Sequence, residues 1–214
     1  MSEQEKKEHK IVIDKSKSLK LQKLSETPLA AFTEKVAAAD GKPEAGTVAA
    51  LAAALAPALG SLAAALSSVD PEGEHKALVQ EFDEMRKYML RLVDDMPRSR
   101  APLMKRLEEN ATGLEIESAA RVACTIPNEI VYLMCRCMEL LDQLVPLVRA
   151  EDKATIQAAA YLCLAVINMM RGQIAQYASY MEDASFRYVV KREAELNVQE
   201  HEAVIERLMA PVEA

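Results

Sequence analysis

Apolar positions in this chain recur mainly at spacings of three and four, the period of one helical face. The longest apolar stretch is also the least polar. No charged residue occurs between Glu44 and Asp70, and eleven of the 25 intervening positions are Ala. Leu51, Leu55, Leu59, Leu62 and Leu66 stand 4, 4, 3 and 4 residues apart there and draw one stripe along a helix. Alanines cover the remaining faces. A helix that is apolar all round is normally buried on every side, and small side chains let neighbouring helices come close. The run therefore predicts a buried central helix over about 47–68, placed where a subunit contact can also form. Its length would suit a bilayer span. Its composition does not: Ala contributes little to insertion, no Trp or Tyr flanks the run, and Pro57 sits in its middle. The run also starts too far from Met1, and lacks the basic flank, to be a signal peptide.

The same spacing places the other elements. Thr27-Pro28 opens a helix that runs to about residue 39, where Asp40-Gly41-Lys42-Pro43 breaks it. After the alanine run, Asp70-Pro71-Glu72-Gly73 is the next turn. An amphipathic helix over 74–95 aligns Leu78, Phe82, Met85, Met89, Leu92 and Val93, and Met96-Pro97 interrupts it. Two shorter helices, 99–111 and 114–125, flank Gly113. Another begins near Pro127 and runs to about 148, with Pro146 near its end. Residues 151–180 are helical with an apolar middle, and the more charged 182–209 closes the bundle. Residues 1–22 are rich in Lys and Glu around one apolar island, Ile11-Val12-Ile13, and read as a mobile leader or a short added strand. The predicted fold is all-α: a single domain over 23–214, a multi-helix bundle of about seven helices around the alanine-rich one.

Composition agrees and narrows function by exclusion. The 214 residues are 50% hydrophobic but only 4% aromatic, with no Trp, so aliphatic residues and 11 Met must fill the core. Six Gly and nine Pro are few for an all-β chain of this length. The net charge of −7 and the lack of a basic stripe argue against nucleic acid as a partner. No targeting signal is evident, so a cytoplasmic protein without membrane attachment is expected. Cys124, Cys135, Cys137 and Cys163 lie in apolar helical surroundings, and the three His are scattered at 9, 75 and 201. Cys135 and Cys137, two apart, point to different sides of a helix. The expectation is buried reduced thiols and no metal site. There is no P-loop, no Gly-rich dinucleotide turn and no nucleophile elbow. Motifs alone name no chemistry.

A family resemblance supplies what motifs do not. The stretches "LSETPLAAFTEKVAAAD" (24–40) and "KPEAGTVAALAAALAPALGSLAAAL" (42–66) resemble the opening of the formiminotransferase-cyclodeaminase and methenyltetrahydrofolate cyclohydrolase family, and the order of helices matches to the end of the chain. The resemblance implies an all-helical, dimeric protein of folate one-carbon metabolism. It implies chemistry at the N5/N10 edge of a tetrahydrofolate derivative: expulsion of ammonia from the formimino form, or addition of water to the methenyl form. No covalently bound cofactor is implied. Both reactions move protons at a one-carbon centre, work that a positioned carboxylate can do.

Carried over residue by residue, the family pattern is partly kept. Its Gly-rich turn becomes Glu44-Ala45-Gly46-Thr47, where Gly46 and the Thr47 hydroxyl match and Glu44 would oppose an anion. Its Val-Asp-x-Asp-Ala-x-Ala-Phe becomes Val93-Asp94-Asp95-Met96-Pro97-Arg98-Ser99-Arg100. Asp94 keeps the first carboxylate. Met96 replaces the second, and Asp95 points about 100° away on a continuous helix. Arg98 and Arg100 read as surface charges or as anion ligands beside the emptied position. The family's Leu-Pro-Lys loop is absent, and Ile126-Pro127-Asn128 stands for its Val-Pro-Leu. Its Ser-Asp falls on Ala154-Thr155, between Lys153 and Gln157, and its later Asn pair falls on Gln173 and Tyr177. Asn168, inside an apolar helical run, needs a polar partner if buried, and Gln157, Gln173, Gln176 and Tyr177 could line a polar cavity beside it. The implied catalytic candidates are Asp94 and Asp95; the implied ligand-binding candidates are Gly46, Thr47, Arg98, Arg100, Lys153, Gln157 and Gln173. Two functions remain open: a folate cyclodeaminase or cyclohydrolase, with or without an altered substrate, and a catalytically silent helical homodimer serving as a binding or structural subunit.

Overall fold

A computed structural model describes residues 23–38, 43–66 and 74–210. The leader at 1–22 and the turns expected at 40–43 and 70–73 fall wholly or mostly outside them. The described residues form seven α-helices and no strand: α1 (Leu29–Ala37), α2 (Ala45–Leu66), α3 (Glu74–Glu108), α4 (Gly113–Leu144), α5 (Lys153–Ala178), α6 (Ala184–Glu200) and α7 (Glu202–Met209). Helix α2 packs on α3, α5 and α4, while α6 and α7 lie against α4 and α5.

Alanine makes α2 the centre of the bundle. Ala49, Ala50, Ala53, Ala56 and Ala63 are at most 1% exposed. Gly60 extends the same face, and there the buried Phe82 ring of α3 lies where a glycine Cβ would have stood, 2.7 Å from the nearest ring carbon. The bundle covers the leucine stripe only in part: Leu51 and Leu59 pack against the core, while Leu55, Leu62 and Leu66 remain 52%, 47% and 46% exposed. Neighbours close on the small-residue face because it brings backbones nearest and so maximises dispersion contact. Two helical stretches, Ala45–Leu66 and Ala150–Ala178, are long and apolar enough to cross a membrane, and both pack into the bundle.

Two expected breaks are absent. Helix α3 runs unbroken through Pro97 and Pro102, and α4 through Pro127. An interior proline costs about 3 kcal/mol. The apolar stripe of α3 spans Pro97, with Met96 before it and Leu103 after it both fully buried, and each such side chain returns about 1.5–3 kcal/mol. Buried Cys124, Ile130, Val131 and Met134 do the same around Pro127. The real break lies three residues before Gly113. Asn110 takes a left-handed φ of 49°, and Ala111 N–H bonds to the Arg106 carbonyl at 3.0 Å, closing the end of α3 as a Schellman turn. Thr112 and Glu115 then form a reciprocal capping box for α4. At the far end the single expected helix over 182–209 divides at His201 into α6 and α7. Thr27 does not cap α1: its hydroxyl bonds the Lys23 carbonyl, and α1 begins after Pro28. All four cysteines are buried free thiols.

The contact between Gly60 and Phe82 gives a direct check. Gly60→Ala is expected to lower stability by about 1–3 kcal/mol in urea denaturation. Phe82→Leu in the same chain should recover part of that loss, so the two substitutions should be non-additive. A stabilised Gly60→Ala protein would show that α2 and α3 are not in close contact there.

Candidate functional site

Gly46 lies in the first turn of α2, with no side chain to hold α3 and α5 away. The Met96 methyl of α3 packs into the space of its missing Cβ, and the Gln173 amide oxygen of α5 would sit 3.2 Å from that Cβ. Thr47, next along, is fully buried, and Tyr177, one turn beyond Gln173, is 2% exposed. Glu44, just ahead of α2, forms an ion pair with Arg100 of α3; the two side chains are only 12% and 28% exposed. Three helix segments thus bring Glu44, Gly46, Met96, Arg100, Gln173 and Tyr177 together in one partly buried polar cluster, with Thr47 the next residue of α2.

The cluster is incompletely paired. Glu44 Oε1, Thr47 Oγ1 and the Tyr177 hydroxyl are all buried without a hydrogen-bond partner. Such an atom costs about 1–3 kcal/mol. Native proteins rarely leave three in one place unless something else binds there. Burial raises the Glu44 carboxyl above its ordinary value, and Arg100 opposes that rise only in part. Burial also drives the Tyr177 phenol far above its ordinary value, with the Glu44 charge adding to the effect. The arrangement offers a hydroxyl and a phenol for hydrogen bonds, a guanidinium for an anion, and one carboxyl tuned toward neutral pH.

The candidates from the sequence separate into two groups. Gly46, Arg100 and Gln173 lie at the cluster, and Thr47 is buried next to Gly46 in the chain. The others stand apart. Both oxygens of Asp94 are engaged by Ser25, whose amide and hydroxyl donate at 3.2 and 2.6 Å. Asp95 pairs at 2.9 Å with Arg98, which is 63% exposed. Gln157 donates to the Ala210 carbonyl at 2.9 Å and so ties α5 to the chain's end. It lies four helical turns before Gln173, about 24 Å along α5, and Lys153 lies a turn earlier still. Asn168 is exposed, and Gln176 accepts a hydrogen bond from Gln173 at 2.9 Å.

Sequence reasoning passed over Glu44 as a group hostile to an anion. The signal was available: Glu44 stands where the resembled pattern has Gly, and Arg100 where it has Phe. The two departures meet in space as a charge pair between the start of α2 and α3.

Residues 28–196 match the family model for formiminotransferase-cyclodeaminase. The crystal structure of formiminotetrahydrofolate cyclodeaminase from Thermotoga maritima is similar, with a TM-score of 0.79 at 20% identity, over 86% of this chain and 95% of that one. At that identity the similarity is one of fold. No curated protein matches the chain.

Unpaired polar groups predict a stability penalty. Tyr177→Phe and Thr47→Val should each stabilise the ligand-free protein by about 1 kcal/mol in urea titration; a loss of stability would mean that the hydroxyls have partners. Because folding raises the Glu44 pKa, the folded chain holds that proton more tightly than the unfolded one. The site's contribution to stability therefore falls as pH rises from roughly 4.5 through the raised value. Glu44→Gln should flatten this slope, whatever it does to the stability itself.

Proposed function

The chain belongs to the formiminotransferase-cyclodeaminase family, and from that we propose that it is a folate cyclodeaminase-like protein whose buried cluster handles a tetrahydrofolate derivative, with weak turnover. The three unpartnered polar atoms around Gly46 carry this reading. They offer hydrogen-bonding groups to a bound pterin or its one-carbon bridge. The proposed reactions are deamination of the formimino form and hydrolysis of the methenyl form. Both need a proton donor and acceptor at the carbon between N5 and N10. Glu44 is the carboxyl in the cluster, while Asp94 is occupied by Ser25. Met96 cannot transfer a proton, and the loss of one general acid or base costs about 10²–10⁴-fold.

The packing of Met96 against Gly46 favours a second reading. With that methyl in place the site is filled, and the protein acts as a catalytically silent binding or structural subunit. Both readings include a homodimer. Helix α2 leaves Leu55, Leu62 and Leu66 uncovered, and its neighbour α5 leaves Tyr161 and Met169 uncovered at 54% and 42% exposure. A second copy is the proposed cover for this apolar face.

The methenyl form absorbs in the near ultraviolet, so its hydrolysis can be followed directly. Wild-type protein should consume it above the buffer rate. Glu44→Gln should lower the rate about 10²-fold or more, and Asp94→Asn should lower it less. Loss confined to Asp94→Asn would return the proton transfer to α3. No turnover, together with unchanged melting in tetrahydrofolate and its 5-formyl derivative, would establish the silent reading. Light scattering should give a dimer mass for wild type at micromolar concentration and a monomer mass for Leu55→Glu with Leu62→Glu. A wild-type monomer would refute the proposed interface.

A further inference from the structure

Helices α4 and α6 run side by side and enclose a groove of about 610 Å³, within the usual size of small-molecule sites. Its polar groups are unevenly charged. Glu129 of α4 and Glu193 and Glu200 of α6 line it, against a single cation, Arg121. That cation is already neutralised: Arg121 donates to buried Glu117 and stacks on the Phe186 ring, 3.3 Å from its centroid. Among the described residues, neither Glu193 nor Glu200 has an ion-pair partner.

Surface carboxylates alone would not make a site. Asn128 supplies the independent observation. It is 7% exposed, lines the groove, and donates its amide N–H across it to the Val190 carbonyl at 3.4 Å. Its amide oxygen is buried with no donor. A buried acceptor of this kind wants an N–H. The carboxylates are spaced for more than one charge. Glu193 and Glu200 are seven residues apart on one face of α6, about 10.5 Å. Glu129 faces them from α4 and accepts a hydrogen bond from Tyr88. The Glu193 charge also reaches inward: burial pushes the Cys124 thiol on the groove wall up to about 12, and Glu193 adds to that rise.

We propose that the α4–α6 groove is a binding site for a linear aliphatic polyamine, with its ammonium groups on Glu129, Glu193 and Glu200 and an N–H on the Asn128 amide oxygen. The span between Glu193 and Glu200 suits the end-to-end reach of an extended triamine. The aliphatic segments would lie along Val190 and Leu196, with Tyr132 at the wall. This site is separate from the cluster around Gly46 and does not depend on the folate reading.

Calorimetric titration with spermidine at constant ionic strength tests it, since an acidic protein attracts any polycation weakly. Saturable binding at one molecule per chain is expected. Glu193→Gln and Glu200→Gln, both exposed positions that should not disturb folding, should each weaken it by roughly three- to tenfold. Glu34→Gln, on α1, should leave it unchanged. Asn128→Leu should weaken it further if the variant folds, and the two Glu variants decide the matter if it does not. Magnesium at the same charge concentration should not compete. Absence of saturable binding, equal weakening by Glu34→Gln, or equal competition by magnesium would overturn the proposal.

Discussion

The closeness with which α2 is approached governs everything else in this molecule. Its inner face is Ala and Gly nearly from end to end, so α3, α4 and α5 can settle against its backbone rather than against side chains. At Gly60 that closeness admits the Phe82 ring to the core. At Gly46 it admits Met96 and Gln173 to the head of the helix. The fold and the candidate site are therefore consequences of one choice of residue size. The outward leucines follow as well, since a helix that gives its small face to its own bundle must place its large residues on the other side.

Beside Gly46, the arrangement is neither a plain core nor an open pocket. A core would have replaced Thr47 and Tyr177 with Val and Phe, which pack as well and leave no hydroxyl unpaired. The resembled pattern has carboxylates at Asp94 and at the position of Met96; this chain keeps Asp94 and has, in addition, a partly buried charge pair between Glu44 at the N-terminus of α2 and Arg100 of α3. The helix N-terminus tolerates a carboxylate there, and burial then holds that group toward its protonated form. Met96, unbranched and fully buried, is the side chain that fills the space beside Gly46.

Much of this was legible in the residues. The alanine run named α2 as the centre, and the three-and-four spacing gave an all-helical chain. The prolines misled, because Pro97 and Pro127 are local signals while the burial of Met96, Leu103, Ile130 and Met134 is a tertiary one of larger size. The Asn110 turn was hidden by Gly113, a stronger breaker in the abstract that here merely opens α4. For the candidate site, Gly46, Thr47 and Gln173 were named from the resemblance and Arg100 from its charge beside the changed motif, and the structure places Gly46, Arg100 and Gln173 near one another. Asp95, Arg98, Lys153 and Gln157 were proposed with them, and sequence position alone could not show that Gln157 faces the chain's end, or that Ser25 reaches Asp94 from 69 positions away. Glu44 was visible throughout, but its meaning depended on knowing that Arg100 lies beside it.

The proposed ligand site rests on the buried unpaired polar atoms near Gly46. A crystal structure of the protein with the stable 5-formyl derivative of tetrahydrofolate tests it most directly. In that complex the Met96 side chain should be turned away from Gly46, with polar atoms of the ligand on Thr47 Oγ1 and the Tyr177 hydroxyl. A ligand bound elsewhere, with Met96 still packed on Gly46 and both hydroxyls unpaired, would contradict it.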